Sequence, residues 1–260
     1  MENFFLDNSL ILSVLFRPRP AQPGTNHLDN VIDGAIEVEE NVVLGYRMYV
    51  HDPTAPIVLL FHGNSEIAPD YDDAAPMYHH AGVSLMVVDY RGYGWSTGRP
   101  LVSTLLSDAE VVYECLPSVF TEAIQEGSPL IVMGRSLGSA CAIELAIRHP
   151  GALKGLIIES GFAHVVPLLS HLGMPTVDKV HLSDPINNIG KITLTSVPLL
   201  VIHGEEDALI PVEEGQALHD SSPATIKRLK RIPSAGHNDL LNYAEEYFVA
   251  VEEFIVTVTR

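Results

Sequence analysis

Short apolar runs recur along this chain, and most are followed by a stretch with helical periodicity. Five runs are nearly continuous in apolar character and cover residues 57–61, 83–88, 130–133, 156–158 and 197–202. Continuous runs are typical of strands that are buried on both faces, as in a parallel sheet. The alternation of such strands with helical segments predicts an α/β fold.

Further segments complete the predicted sheet and its helices. Residues 35–38 and 42–50 are predicted to form an antiparallel opening pair, and the alternating apolar and basic residues 225–232 predict a strand near the sheet edge. Four helices are predicted over residues 70–80, 103–123, 137–149 and 239–257. Their signals include a possible N-cap at Ser103 and helix stops at Ala81-Gly82 and Pro150-Gly151.

Two segments depart from the strand–helix alternation. Residues 162–191 mix short apolar pieces with glycine and proline, and we expect them to form a small helical cap over one end of the sheet. Asp184-Pro185 is the expected N-cap and first position of a short helix in this cap. About 30 residues at the start are an N-terminal arm with an apolar run at 9–16. The chain is predicted to be a single domain over residues 1–260.

Composition and charge narrow the function classes. Of the residues, 47% are hydrophobic and 18% are charged, which is a globular composition that excludes a disordered, collagenous or disulfide-scaffold chain. The formal net charge of -18 argues against nucleic acid as a partner, because phosphates attract clustered Lys and Arg. It also argues against binding to an anionic membrane surface.

The two cysteines and the apolar run in the N-terminal arm indicate the cellular compartment. Cys115 and Cys141 fall in predicted helices and are expected to be buried free thiols, which fits a reducing compartment. The run at 9–16 is too short to span a bilayer, and neither a basic start nor a small-residue cleavage site accompanies it. We therefore predict a cytoplasmic protein without stable membrane insertion. The oligomeric state stays open.

The most informative motif is Gly134-Arg135-Ser136-Leu137-Gly138, which has the pattern G-x-S-x-G. It follows a predicted buried strand and opens a predicted helix, which is the context that a nucleophile elbow requires. Glycines are needed on both sides because side chains there would clash with the tight turn. Ser136 is thus predicted to project at the carboxyl end of the strand as a nucleophile.

A serine nucleophile needs a base to take its proton and a carboxylate to orient the base. His237 follows the last predicted strand, so we predict it to be the base. Asp207 lies in the loop after the run at 197–202 and is the predicted acid, with Glu205 and Glu206 as rival acids. An oxyanion hole needs two N–H donors, which we assign to the backbone of Leu137 and of Asn64, in the loop after residues 57–61.

These motifs, together with residues 89–96 (DYRGYGWS), resemble the α/β-hydrolase superfamily from about residue 35 onward. The motif sequences are similar to those of short-capped serine hydrolases, including some acyl-protein thioesterases and acylaminoacyl-peptidase-like enzymes. The resemblance implies an eight-stranded, mostly parallel sheet with helices on both faces and a Ser-Asp-His triad at its carboxyl edge. Ser65-Glu66 departs from the residues that usually follow His-Gly-Asn in this family, and we expect it to place an acidic side chain near the mouth of the site.

The neighbouring residues receive structural interpretations. Arg135 is expected to be an ion-pair partner beneath the elbow, with Glu159 as a possible mate, and His62 and His203 are expected to have hydrogen-bonded structural roles. The histidines show no ligand pattern that would indicate a metal, and no dinucleotide or phosphate loop is present, so no cofactor or metal is predicted.

The sequence therefore predicts a serine hydrolase that cleaves a small-molecule or acyl substrate, an ester or thioester, through an acyl-enzyme intermediate. Two alternatives remain open. One is an amide or peptide hydrolase of the acylaminoacyl-peptidase type. The other is a non-catalytic binding protein with the same fold, since fold alone does not imply function.

Overall fold

The computed structural model describes residues 5–24, 30–120, 123–174 and 186–260. Eight strands form one sheet: β1 (Val31–Glu39), β2 (Val42–Tyr49), β3 (Ile57–Phe61), β4 (Ser84–Val88), β5 (Leu130–Arg135), β6 (Leu153–Glu159), β7 (Leu199–Gly204) and β8 (Lys227–Ile232). Their order is β1-β2-β4-β3-β5-β6-β7-β8. Strand β2 is antiparallel to β1 and β4, whereas the strands from β4 to β8 in this order are parallel to their neighbours.

The sheet confirms the predicted α/β-hydrolase fold with a mostly parallel eight-stranded sheet. The antiparallel opening pair and the edge position of the last strand are confirmed as well. Every residue of β3 and β4 is buried, as the continuous apolar runs predicted.

Eight α-helices surround the sheet within the described residues. They are α1 (Ser9–Leu15), α2 (Ala75–His80), α3 (Val102–Phe120), α4 (Ser139–Arg148), α5 (Val165–His171), α6 (Asn188–Ile192), α7 (Val212–Ser221) and α8 (Ala244–Thr259). The sheet has a hydrophobic cluster on each face, because successive strand residues point to opposite faces. Leu59 packs on the face covered by α1 and α3–α7, and Val58 and Leu60 pack on the face covered by α2 and α8. Helices thus cover both faces of the sheet, as predicted.

Three helical segments differ from the predictions. The segment 70–80 is divided into a 3₁₀ turn at Ala68–Tyr71 and helix α2, because Pro76 sits at the start of α2 and its ring cannot continue a helix from the preceding turn. The segment 239–257 likewise begins as a 3₁₀ turn, Leu240–Tyr243, before α8. Helix α7 was not predicted, since its acidic and histidine residues blur the apolar periodicity.

The N-terminal arm packs on its own chain. Asp7 accepts hydrogen bonds from the backbone N–H groups of Val102 and Ser103 at 2.8 and 3.2 Å, so it caps helix α3. The predicted cap at Ser103 was wrong, because the helix begins at Val102 and a residue from the arm supplies the acceptor. Farther along the arm, Arg19 forms an ion pair with Asp70 at 2.6 Å.

The cap segment is described in part. Helix α5 lies within 162–191 and helix α6 begins there and ends one residue beyond it, at Ile192. The expected helix start at Asp184-Pro185 lies outside the described residues. Both cysteines are free thiols in helices, Cys141 buried and Cys115 half-buried. None of the helices in the described ranges combines the length and the apolar character needed to cross a bilayer.

Candidate active site

The turn between β5 and α4 holds Ser136 in a left-handed backbone conformation, with φ of 50°. Such a conformation is strained for a residue with a side chain and is typical of functional turns. A side chain on Gly134 would clash with the backbone of Gly138, and one on Gly138 would clash with the carbonyl of Phe61. The two glycines of the motif therefore allow the turn to be tight enough to leave Ser136 at the carboxyl end of β5.

The side chains of Ser136, His237 and Asp207 form a continuous hydrogen-bonded series. The Nε2 atom of His237 lies 3.0 Å from Oγ of Ser136, and its Nδ1 atom lies 2.7 Å from Oδ2 of Asp207. A carboxylate only accepts, so Nδ1 carries the proton and Nε2 is free to accept one from the serine. This is the geometry that a nucleophile and its base require.

Asp207 is held by several donors at the end of β7. The backbone N–H groups of Leu209 and Ile210 donate to its Oδ1 at 2.9 and 2.8 Å. His203 donates from Nε2 to the carbonyl of Ile210 at 2.8 Å and lies 3.3 Å from Oδ2 of Asp207. Burial raises the pKa of Asp207, but the hydrogen bonds from His203 and His237 outweigh it, and the pKa lies well below its usual range. Asp207 is therefore an anion that orients His237.

The two rival acids are placed differently. Glu205 and Glu206 precede Asp207 in the same loop, yet both are exposed, whereas Asp207 is buried. Of these three carboxylates, the one in contact with His237 is that of Asp207. The expected structural role of His203 is confirmed, and its hydrogen bond to the acid was not foreseen.

The loop after β3 carries Asn64, which is tied to the arm and to the turn after β4. The hydroxyl of Tyr93 donates to the carbonyl of Asn64 at 2.6 Å, and Nδ2 of Asn64 donates to the carbonyl of Val14 at 3.0 Å. Leu137 is the middle residue of a short 3₁₀ turn, Ser136–Gly138, and is buried. The predicted oxyanion-hole residues thus lie in the loop at the end of β3 and directly after Ser136 at the end of β5, two strands that are neighbours in the sheet.

Arg135 lies between two glutamates beneath the elbow. Its Nε donates to Glu159 at 3.0 Å, which confirms the predicted pair, and its Nη1 lies 2.8 Å from Glu66. Glu66 also accepts from the N–H of Gly63 at 2.6 Å and from the hydroxyl of Tyr71 at 3.0 Å. The carboxylate of Glu66, which was expected near the mouth of the site, is paired with Arg135, and a quarter of the side chain stays exposed.

Sequence reasoning missed several supports of the site. Glu214 on α7 accepts from the N–H groups of Ala163 and His164 at 2.8 and 2.9 Å and so holds the start of the cap helix α5. Tyr93 and the arm, which hold Asn64, were missed too. The residue types alone carried no signal for these contacts, because their partners lie far away along the chain.

Other features of the described residues lie apart from the triad. A cavity of about 520 Å³ lies between the C-terminal part of α3 and Leu130, at the end of β5 opposite to Ser136. Within the described ranges, no group of three or more His, Cys, Asp or Glu side chains is arranged to hold a metal ion.

Comparisons with known proteins agree with this architecture. A family model named Hydrolase_4 and described as "Serine aminopeptidase, S33" matches residues 52–190. The α/β hydrolase domain-containing protein 17C of Xenopus laevis is 30% identical over 224 residues, which cover 84% of this chain and 67% of that protein. An uncharacterized protein of Mycobacterium tuberculosis is 30% identical over 211 residues, which cover 80% of this chain and 72% of that protein.

The matches to the five vertebrate 17C relatives cover between 59% and 67% of the length of those proteins. Among solved structures, an esterase from Pyrococcus furiosus superposes with a TM-score of 0.73 at 20% identity, covering 93% of this chain and 99% of that one. Est1E from Butyrivibrio proteoclasticus has a TM-score of 0.65 at 17% identity, covering 86% of this chain and 98% of that one. At these identities the likeness to solved structures shows the fold alone.

Proposed function

This chain belongs to the Hydrolase_4 family of the α/β-hydrolase superfamily, and from that premise we propose that it is a serine hydrolase that cleaves carboxylic esters or thioesters. The observation that carries the proposal is the contact of His237 with both Ser136 and Asp207, at 3.0 and 2.7 Å. A hydroxyl that faces the unprotonated nitrogen of an oriented histidine is an activated nucleophile.

In the first half of the reaction, Oγ of Ser136 attacks the carbonyl carbon of the substrate. Nε2 of His237 accepts the serine proton, and Asp207 stabilises the imidazolium that forms. The negative oxygen of the tetrahedral intermediate is held by the backbone N–H groups of Asn64 and Leu137. His237 then protonates the departing alcohol or thiol, and an acyl-serine remains.

In the second half, water replaces the leaving group. His237 takes a proton from the water as its oxygen attacks the acyl carbon, and the same two N–H groups hold the second oxyanion. Collapse of this intermediate breaks the bond to Oγ of Ser136, which regains its proton from His237. The products are a carboxylic acid and free enzyme, and the protons balance over the cycle.

The two glutamates that pair with Arg135 beside the elbow are not free to bind the amino terminus of a peptide, which supports placing ester or thioester cleavage first. An aminopeptidase would need an unpaired carboxylate near the nucleophile to bind the substrate ammonium group. Glu66 and Glu159, which flank the end of β5, both form ion pairs with Arg135 at 2.8 and 3.0 Å. The family description still makes amide cleavage the second candidate, and it is tested with the same enzyme preparation.

The test is labelling by a fluorophosphonate probe together with hydrolysis of p-nitrophenyl esters, acyl thioesters and aminoacyl anilides. Wild type is expected to be labelled and to cleave esters or thioesters faster than anilides, and Ser136→Ala is expected to lose both labelling and turnover. Ser65→Ala is the matched control, because Ser65 is exposed in the loop directly after Asn64 and has no predicted role in the chemistry. Faster anilide cleavage would favour the peptidase.

A folded wild type without labelling or turnover would instead favour the non-catalytic binding protein. Unchanged ester hydrolysis in folded Ser136→Ala would overturn the assignment of the nucleophile.

A further inference from the structure

We infer that Arg135 is a positioning residue that holds the oxyanion loop and the His237 loop against the nucleophile elbow. The inference rests on the proposed function and adds to it a single guanidinium shared by the three parts of the site. Arg135 directly precedes Ser136, and only 10% of its side chain is exposed. Its contacts extend in three directions, to the loop after β3, to the loop after β8 and to the sheet below.

The first contact is to the oxyanion loop. Nη1 of Arg135 lies 2.8 Å from Glu66, and Oε2 of Glu66 accepts from the N–H of Gly63 at 2.6 Å. Gly63 directly precedes Asn64, whose N–H is the proposed oxyanion donor. A side chain on Gly63 would meet Nη1 of Arg135, so the guanidinium or the loop would have to shift to admit one. The position of the donor thus depends on Arg135 through Glu66.

The second contact is to the loop that carries the base. Nη2 of Arg135 donates to the backbone carbonyl of His237 at 2.9 Å and to Oδ1 of Asn238 at 3.0 Å. Asp207 orients the ring of His237, whereas Arg135 fixes the backbone from which that ring projects. The two constraints together determine where Nε2 meets Ser136.

The third contact anchors the guanidinium from below. Nε donates to Glu159 at 3.0 Å, and the other oxygen of Glu159 accepts from the hydroxyl of Tyr247 at 2.7 Å. Burial raises the pKa of Glu159. For Glu66, burial is outweighed only by the charges of Arg135 and His62 together with the hydrogen bonds from Gly63 and Tyr71, and the pKa is lowered. The anchor leaves the two Nη atoms of Arg135 to face the two loops.

A structural role and a positioning role for Arg135 predict different rates for the folded enzyme. Misplacing a catalytic group by about 1 Å can cost on the order of a hundredfold in rate, whereas lost stability alone leaves the rate of the folded molecules unchanged. The chain contains a matched control for stability. Arg91 makes a two-bonded ion pair with Asp108, both bonds at 2.7 Å, and a further pair with Glu39 at 2.7 Å.

The control pair lies outside the two loops. Arg91 sits in the turn after β4, Asp108 is on α3 and Glu39 ends β1. None of these three residues belongs to the loop of Asn64 or to the loop of His237. Arg91→Met therefore removes a comparable arginine–carboxylate cluster without touching the proposed positioning contacts.

The experiment measures kcat and KM for p-nitrophenyl acetate, normalised to the sites labelled by fluorophosphonate, with thermal unfolding in parallel. In Arg135→Met we expect kcat to fall about thirtyfold or more with KM within about threefold, because the loss is in alignment rather than in binding. Arg135→Lys should restore part of kcat, since it keeps the charge but loses the fork that reaches both loops.

Asn238→Ala, at an exposed position, should lower kcat by about two- to fivefold. Arg91→Met should lower the Tm while kcat per labelled site stays within about twofold of wild type.

A folded Arg135→Met with kcat within about threefold of wild type would overturn the inference, and so would an equal loss of kcat in Arg91→Met. If Arg135→Met does not fold, Arg135→Lys and Asn238→Ala decide, and wild-type kcat in both would overturn it. Ser136→Ala, run beside them, separates the two proposals. Activity retained in Ser136→Ala removes the proposed function itself, whereas loss there with wild-type rates in the Arg135 and Asn238 variants removes only the positioning role.

Discussion

The hydroxyl of Tyr93 donates to the backbone carbonyl of Asn64 at 2.6 Å and accepts from the N–H of Arg17 at 2.7 Å. A single phenol therefore joins the N-terminal arm to the loop that carries the proposed oxyanion donor. Burial raises the pKa of Tyr93 above its usual range, so the hydroxyl stays protonated and remains a donor.

We expect Tyr93→Phe to destabilise the protein by about 1–2 kcal/mol, because a buried hydrogen bond is lost and the N–H of Arg17 is left without this acceptor. Since Asn64 is then less constrained, kcat for p-nitrophenyl esters should fall about three- to tenfold with little change in KM. Denaturant unfolding and steady-state kinetics measure the two effects. Tyr46→Phe, at a buried tyrosine on β2 away from Asn64, is the control. A fall in stability with wild-type kcat would separate Tyr93 from the oxyanion loop.

The identity of the acid is tested by substituting the three neighbouring carboxylates one at a time. Asp207→Asn should lower kcat by about four orders of magnitude, because an amide cannot hold His237 in the required tautomer. Glu205→Gln and Glu206→Gln are matched controls from the same loop and should retain wild-type rates, because both side chains are exposed. A large loss of kcat in either glutamate variant, with Asp207→Asn active, would reassign the acid.

The lowered pKa of Asp207 predicts how stability depends on pH. Burial alone raises this pKa, and the hydrogen bonds from His203 and His237 bring it below its usual value. An unfolded aspartate titrates at about 3.9. A carboxyl with a lowered folded-state pKa contributes stability that is complete above the unfolded value and is lost as the pH falls through the folded value.

The free energy of unfolding of wild type should therefore exceed that of Asp207→Asn at about pH 5, and the difference should shrink as the pH falls below about 4. Urea unfolding between about pH 3 and pH 8 measures it. A difference that stays constant or widens towards pH 3 would contradict the lowered pKa of Asp207. Glu206→Gln, from the same loop, serves as the exposed comparison.

The close approach of Arg135 to Gly63 predicts the effect of adding one methyl group. Gly63→Ala should force the guanidinium or the oxyanion loop to shift, because the new Cβ would clash with Nη1 of Arg135. We expect a loss of about tenfold or more in kcat and a lower Tm. Gly151→Ala is the control, since a Cβ there would meet no atom within 4 Å. Equal Tm and kcat in the two variants would show that the oxyanion loop accommodates the added methyl group without loss of stability or rate.

Local patterns were enough to predict the sheet and the elbow. The strands of the parallel core are buried on both faces, so residues such as Val58 and Leu59 must both be apolar, and this requirement is visible in any short stretch of sequence. The elbow is similarly local, because the clash that Gly134 and Gly138 avoid is with their own turn. Ser136 could therefore be placed at the end of a strand from five consecutive letters and their neighbours.

Contacts between distant segments could not be predicted in the same way. Asp7 caps a helix 95 residues away, and Arg17 meets a hydroxyl 76 residues away. The residues around Asp7 do not indicate that it caps a helix elsewhere in the chain. An aspartate can accept a hydrogen bond from any nearby donor, so its sequence neighbours do not identify a distant partner. At 205–207 the sequence left Glu205 and Glu206 as rivals of the predicted acid Asp207, and only the folded loop shows which of the three carboxylates turns inward.

The hydrophobic runs and the G-x-S-x-G turn thus carried the fold class and the position of the proposed nucleophile, because burial on two faces and a tight turn restrict which residues can stand there. Packing alone brought Arg135 to Glu66 and to the carbonyl of His237, which lies 102 residues away. A guanidinium has five donors and no local preference among acceptors, so its partners are selected by the loops that the folded sheet places around it.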